Sequence, residues 1–222
     1  HVQHIKNKNH YYGYAPYIRE MNIWLNHVDE VILVAPLIED ELNPIYEKYN
    51  HSNLHFYQVQ EFTISSLSNI FKTLIRLPKV FFQVYKAMAQ SDHIHLRCPG
   101  NIGLIGAIVQ ILFPNKQKTA KYAGNWDPKS KQPWSYRLQK WILSNTFLTK
   151  NMQVLVYGEW EGSSKNVKSF FTATYSEEET RRLGEGEREG DEVIRFLFVG
   201  TLSKGKQPLY VIQLVEELYK RG

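Results

Sequence analysis

Apolar positions along this chain follow two rhythms, and the places where one gives way to the other mark out its elements. Segments at Val28–Pro36, Asn53–Val59, Asp92–Arg97, Lys118–Tyr122 and Gln153–Tyr157 read as strands of a parallel sheet, the first of them a buried, mostly apolar run. Between them the apolar residues recur every three or four positions. After Pro16, the stretch Tyr17–Leu25 puts Ile18, Met21 and Leu25 on one helical face. Leu67–Gln90 does the same with Leu67, Ile70, Phe71, Leu74 and Ile75, then with Val80, Phe81, Val84, Tyr85 and Met88 beyond Pro78, where a break or kink is expected. Ile102–Leu112 and Lys131–Leu148 are further helices, the second with Trp134, Leu138, Trp141 and Ile142 at helical intervals. At the start, the tail of a strand in His1–Lys8 runs into a loop at Asn9–Tyr14. Val167–Tyr175 reads as an edge strand, and Ser176–Glu179 as the capped start of a short helix. Strand, helix and strand alternate in the manner of parallel crossover units.

Glu185–Asp191 (EGEREGD) interrupts this alternation with glycine and like charge and reads as a linker. The apolar run Ile194–Val199 after it predicts one more buried strand. It stops at Gly200, and the turn Thr201-Leu202-Ser203-Lys204-Gly205-Lys206 brings hydroxyls, a glycine and two ammonium groups ahead of a helix opened by Pro208. Unpaired backbone N–H groups and the positive end of the helix dipole would face that turn, an arrangement suited to an anion. An ordinary strand-to-helix connection has the same pattern.

The segment F-V-G-T-L-S-K-G-K-Q-P around Gly200 resembles F-V-G-R-L-x-x-x-K-G, which opens the second domain of the family 4 retaining glycosyltransferases. The strand Val28–Pro36 is similar to that family's G-H-E-V-T-V-L-T-P stretch, and Asp92–Arg97 to its D-v-V-H-v-H strand. The resemblance implies an α/β fold in which a Rossmann-like parallel sheet flanked by helices spans 1–180. A linker at 181–192 and the first strand and helix of a second Rossmann-like, donor-binding domain at 193–222 would follow. The chain is then expected to be a truncated glycosyltransferase, inactive alone, because the family's later pair of glutamates has no counterpart in it. The parent enzyme would move a sugar from a nucleotide-diphosphate donor to a saccharide or lipid-linked acceptor with retention, in cell-surface polysaccharide synthesis.

By the same resemblance Lys206 falls on the family lysine that binds the donor diphosphate and is the expected catalytic cation. Gly13, Gly200, Thr201 and Ser203 are the other expected donor-binding positions. Thr201 stands where the family has arginine, and Gln207 where it has glycine. In many relatives a histidine near the reacting sugar follows the fifth strand; Ala123-Gly124 occupy that place here, which leaves Asn125, Trp126 and Asp127 as expected acceptor contacts. An amide, an indole and a carboxylate suit a sugar, although Asn125 and Asp127 before Pro128 equally suit Asx turns. Arg97 joins them, at the carboxyl end of its strand, where open parallel sheets take ligands. His93 and His95 share a strand face at a spacing that could hold a metal, but they lack a third ligand and are read as structural. No metal and no cofactor are expected.

Composition and charge narrow the alternatives. The chain has 222 residues, 43% of them hydrophobic and 22% charged, enough for a packed core and unlike a disordered chain. The one cysteine, Cys98, excludes an internal disulfide framework and a multi-cysteine zinc site, which favours a reducing, cytoplasmic location. The net charge of +5 is uneven: residues 1–150 carry 17 Lys and Arg against 10 Asp and Glu, and residues 151–222 carry 10 against 12. A basic first part suits phosphate-bearing substrates or an anionic membrane surface, so peripheral attachment at the inner face of the membrane stays open, as does a non-catalytic module that binds anionic lipid or polymer. Nucleic acid is not an expected partner, because no recognised binding motif is present. G-x-G-x-x-G follows none of the predicted strands, which argues against a dinucleotide-dependent oxidoreductase.

Overall fold

The computed structural model describes residues 2–60, 67–171, 177–178, 181, 196–200, 202 and 206–221, with the side chains of 67–76 left aside. The chain forms two compact units, His1–Thr174 and Tyr175–Gly222. The first is an α/β unit with parallel sheets.

The first unit opens on a hairpin. Strand β1 (His4–Asn7) pairs antiparallel with β2 (His10–Tyr14), and Lys8 turns the chain with φ +52°. Most of the expected loop at Asn9–Tyr14, from His10 on, is therefore a strand. Helix α1 (Ala15–Leu25) follows with Pro16 in its first turn and buries Tyr17, Ile18, Glu20 and Leu25. Strand β3 (Val31–Ala35) leads to the two-residue β4 (Leu37–Ile38), which pairs parallel with β1, and β5 (Tyr46–Lys48) pairs antiparallel with β2. These make a mixed sheet in the order β4-β1-β2-β5, while β3 and β6 (Leu54–Gln58) form a separate parallel pair.

Helix α2 (Leu67–Gln90) continues through Pro78 without a break, which was one of the two outcomes expected there. Burial of Val80, Val84, Ala87 and Met88 beyond the proline holds the later turns in place against the hydrogen bond that proline forgoes. Then comes the largest parallel sheet, in the order β10-β9-β8-β7: β7 (His93–Cys98), β8 (Gln117–Tyr122), β9 (Met152–Val156) and the edge strand β10 (Val167–Ser169). Helix α3 (Asn101–Val109), continued by a 3-10 turn at Gln110–Leu112, connects the first two strands, and α4 (Trp134–Ser144) the next two.

Strand alternation gives this sheet two unlike faces. Ile94, Leu96, Cys98, Ala120, Tyr122, Val154 and Val156 enter one apolar core with Val80, Val84 and Met88 of α2, Leu104 and Ile105 of α3, and Ile142 and Leu143 of α4. On the opposite face stand His93, His95 and Arg97 of β7 beside Thr119 and Lys121 of β8, in register as His95↔Thr119 and Arg97↔Lys121. Helix α1 meets that polar face: the Trp24 ring lies 4.8 Å from His95, and Glu20 reaches Lys121.

In the second unit Pro208 opens α5 (Pro208–Arg221), as its sequence implies, and none of its residues is buried. The strand expected over Ile194–Val199 is not formed in its described part. Phe196–Val199 has no strand pairing, and Leu197 and Val199 are 88% and 83% exposed. A buried strand requires neighbours on its edges and faces, and the described residues of this unit supply none.

Candidate active site at the carboxyl ends of β7 and β8

The polar face of the sheet gathers its charge at one end. Arg97 and Lys121 are register partners near the carboxyl ends of β7 and β8. Between them α1 inserts Glu20, whose Oε1 accepts a hydrogen bond from Lys121 Nζ at 2.6 Å and whose Oε2 lies 3.6 Å from Arg97 Nη1. Lys121 is 1% exposed and Glu20 6%. Two cations thus face one carboxylate in a place largely closed to water. The aromatic rings of Tyr157 and Phe170 lie 5.3 and 5.1 Å from the Lys121 ammonium, and Tyr17 lies 5.0 Å below the Arg97 guanidinium, so cation–π contact supplements the ion pairs.

Arg97 is the open member of the cluster. Its side chain is 26% exposed, and its buried Nη1 has no hydrogen-bond partner. The charge on that side is positive, and the guanidinium can still take an oxyanion or a sugar hydroxyl. Burial, reinforced by Arg97, His93 and Lys121, holds the His95 imidazole down to about 3, so it is neutral at physiological pH. Its Nδ1 meets the Thr119 hydroxyl at 2.8 Å. Burial lifts the phenols of Tyr17 and Tyr49 above their ordinary range.

The loops that leave β7 and β8 roof this end. Ala123 N–H donates to Cys98 C=O at 2.6 Å, and a Cβ on Gly124 would lie 3.1 Å from the Pro99 ring. Asn125 and Asp127 each close an Asx turn, accepting from the backbone N–H of Asp127 and Lys129 at 2.8 Å. Lys140 Nζ donates to the carbonyls of Trp126 and Asp127 at 2.7 and 3.0 Å. Trp126 is 4% exposed and packs edge-on against Tyr122, which turns its indole into the core. Asn125 is exposed and Asp127 half-buried, so these two present polar atoms at the loop surface.

The remaining expected site residues belong to other elements. Gly13 sits buried within β2 opposite His4, where a Cβ would come within 2.9 Å of Ile18. Gly200 and Lys206 are exposed in the second unit, and Gln207 before α5 has φ +49°. Thr201 and Ser203 are outside the described residues, as is the linker 185–191. A hollow of about 800 Å³ lies at the opposite, amino ends of β7–β9, with Lys118, Lys150 and Lys165 in its lining. It is broad, and Lys118 Nζ is already committed to the Phe113 carbonyl at 2.8 Å, with burial pushing its ammonium down to about 8. The carboxyl ends are where parallel strands converge on ligands, so the Arg97 cluster is the stronger candidate. Among the described residues no group of three metal-ligating side chains occurs.

Glu20 and Lys121 are the site residues that sequence reading missed. Their signal was charge in the wrong place: Glu20 lies three positions from Tyr17 on the face α1 buries, and Lys121 stands inside a largely buried strand. No family model, no curated protein and no solved structure matches the chain.

Proposed function

We propose that the chain belongs to a retaining glycosyltransferase built from two Rossmann-like domains, with the first unit as its acceptor side. The observation that carries the reading is the Glu20–Arg97–Lys121 cluster at the carboxyl ends of a parallel sheet, with one arginine nitrogen left without a hydrogen-bond partner. The similarity of the Gly200 and Val28–Pro36 segments to the family adds to it.

In this reading Arg97 orients the acceptor, with Asn125 and Asp127 offering further polar contacts. Lys206, with Gly200, Thr201 and Ser203, binds the donor diphosphate. The oxygen of an acceptor hydroxyl bonds to the anomeric carbon as the bond from that carbon to the diphosphate oxygen breaks, and the hydroxyl proton passes to the departing diphosphate. Negative charge grows on the leaving group, and a cation held in position stabilises it more in the transition state than before.

The test is a screen of nucleotide-sugars with the native protein, reading release of nucleoside diphosphate with and without saccharide and lipid-linked acceptors. One donor is expected to turn over. Lys206→Ala should then lower kcat by about 100- to 1,000-fold, the scale of losing one oxyanion donor. Arg97→Ala should raise KM for the acceptor more than for the donor. Absence of release with every donor rejects the proposal.

A further inference from the structure

Helices α2, α3 and α4 form the layer that covers the apolar face of the large sheet, with α3 in contact with both neighbours. Their inner sides supply the core. Their outer sides carry large apolar side chains that a water-facing layer has no need of: Phe82 of α2 is 65% exposed, Leu112 at the end of α3 57%, and Trp134 and Trp141 of α4 56% and 60%. On α4, Trp134, Arg137 and Trp141 follow the i, i+3, i+7 spacing of a single stripe, all three exposed.

Charge singles out the same layer. The three helices contain no Asp or Glu, and carry Lys72, Arg76, Lys79, Lys86, Arg137 and Lys140. Helix α5 offers the contrast: it too exposes apolar side chains, but its Glu216 and Glu217 pair with Lys220 and Arg221, so it has no cationic excess.

We infer that the outer face of the α2–α3–α4 layer docks on an anionic lipid bilayer, with Trp134 and Trp141 in the headgroup region and Lys79, Lys86 and Arg137 against the lipid charge. The pairing of indoles with basic residues selects this occupant. Indoles settle at the membrane–water interface because one edge is polar and the body apolar, and the basic side chains add attraction to anionic headgroups. A second copy of the same face would bring like charge against like. The inference does not depend on sugar transfer.

Sedimentation of the native protein with vesicles tests it. Vesicles of phosphatidylcholine with one-third phosphatidylglycerol are expected to bind at least about tenfold more protein than phosphatidylcholine alone, with the difference collapsing in high salt. The double variant Trp134→Ser, Trp141→Ser and the single variant Arg137→Glu should each lower that binding by about tenfold. Lys168→Glu, the same charge reversal at an exposed position of β10, should change it less than about twofold. Far-ultraviolet circular dichroism confirms that each variant is folded. The inference is overturned if neutral and anionic vesicles bind alike, if neither binds, or if the tryptophan variant binds undiminished. It is also overturned if Lys168→Glu weakens binding as much as Arg137→Glu, or if an RNA homopolymer retains the protein while vesicles do not.

Discussion

Glu20 is a carboxylate on the buried face of a helix, and the ammonium it answers is 101 residues away in sequence. Neither charge could be left there alone. Glu20→Ala should cost about 3–5 kcal/mol, because it removes the carboxylate that neutralises the Lys121 ammonium in a place with almost no water. Glu20→Leu combined with Lys121→Met should be far less destabilising than the two single changes added together, since an apolar pair removes both desolvation penalties. Urea midpoints of the four proteins decide the matter, and simple additivity would show that the pair is not coupled. The same scale explains what could be read in advance. The place of Arg97 near the carboxyl end of its strand was legible because a strand end is a local feature, visible in Asp92–Arg97 alone. The partnership of Glu20 with Lys121 was not, because a charge on an apolar face announces that it has a partner without saying which. Trp126 shows the reverse: an indole beside an amide and a carboxylate looks like a sugar platform, yet its packing against Tyr122 depends on residues the local sequence does not reveal.

Elements were legible where their pattern was self-sufficient. The alternation in His93–Cys98 gave both the strand and its two faces, and Ile102–Leu112, apolar nearly all round, is the buried α3 that such a pattern implies. Strand β2 was missed because His10–Tyr14, tyrosines broken by a glycine, has the composition of a loop and is held extended by β1 and β5. Phe196–Val199 failed in the other direction, since hydrophobicity expresses a demand for neighbours and does not supply them. Close packing between elements also lies beyond periodicity. Gly103 brings α3 so near β7 that a Cβ would stand 2.6 Å from the Arg97 carbonyl oxygen and 3.1 Å from Cys98 Sγ. At Gly106 the closest obstacle is a movable Leu96 methyl at 2.8 Å. Gly103→Ala should therefore destabilise by about 1–3 kcal/mol or more, and Gly106→Ala by clearly less, in thermal or urea unfolding. Equal costs would mean that α3 shifts away from the sheet as easily as a leucine rotates.

For the whole molecule, acidity sets a limit that follows from buried imidazoles. His4 is 2% exposed, stacks on Tyr49 with its Nε2 2.9 Å from the Tyr49 hydroxyl, and burial holds it down to about 4. The unfolded chain takes up that proton near pH 6.5, before the folded one does, so stability is full above that value and falls as pH drops toward 4. His95 acts in the same direction. At pH 5 the loss from His4 alone should be about 2 kcal/mol, measured as the difference in unfolding free energy from pH 7.5, and His4→Gln should flatten the slope. A slope unaltered by that variant would place the acid sensitivity elsewhere. At this scale the α/β class with parallel sheets was legible, whereas the division of the described strands into three sheets was not, because an apolar run specifies a strand without naming its neighbours.

The unlike faces of the β7–β10 sheet bear on how its two coverings can move. Hydrocarbon contact is indifferent to direction, so α3 and α4 can creep by fractions of an ångström and still adhere. Ionic hydrogen bonds tolerate no such drift, and the Glu20 carboxylate makes α1 a latch that is either seated or sprung. Any displacement that opens it would part the carboxylate from Arg97 and Lys121 together, in a single step.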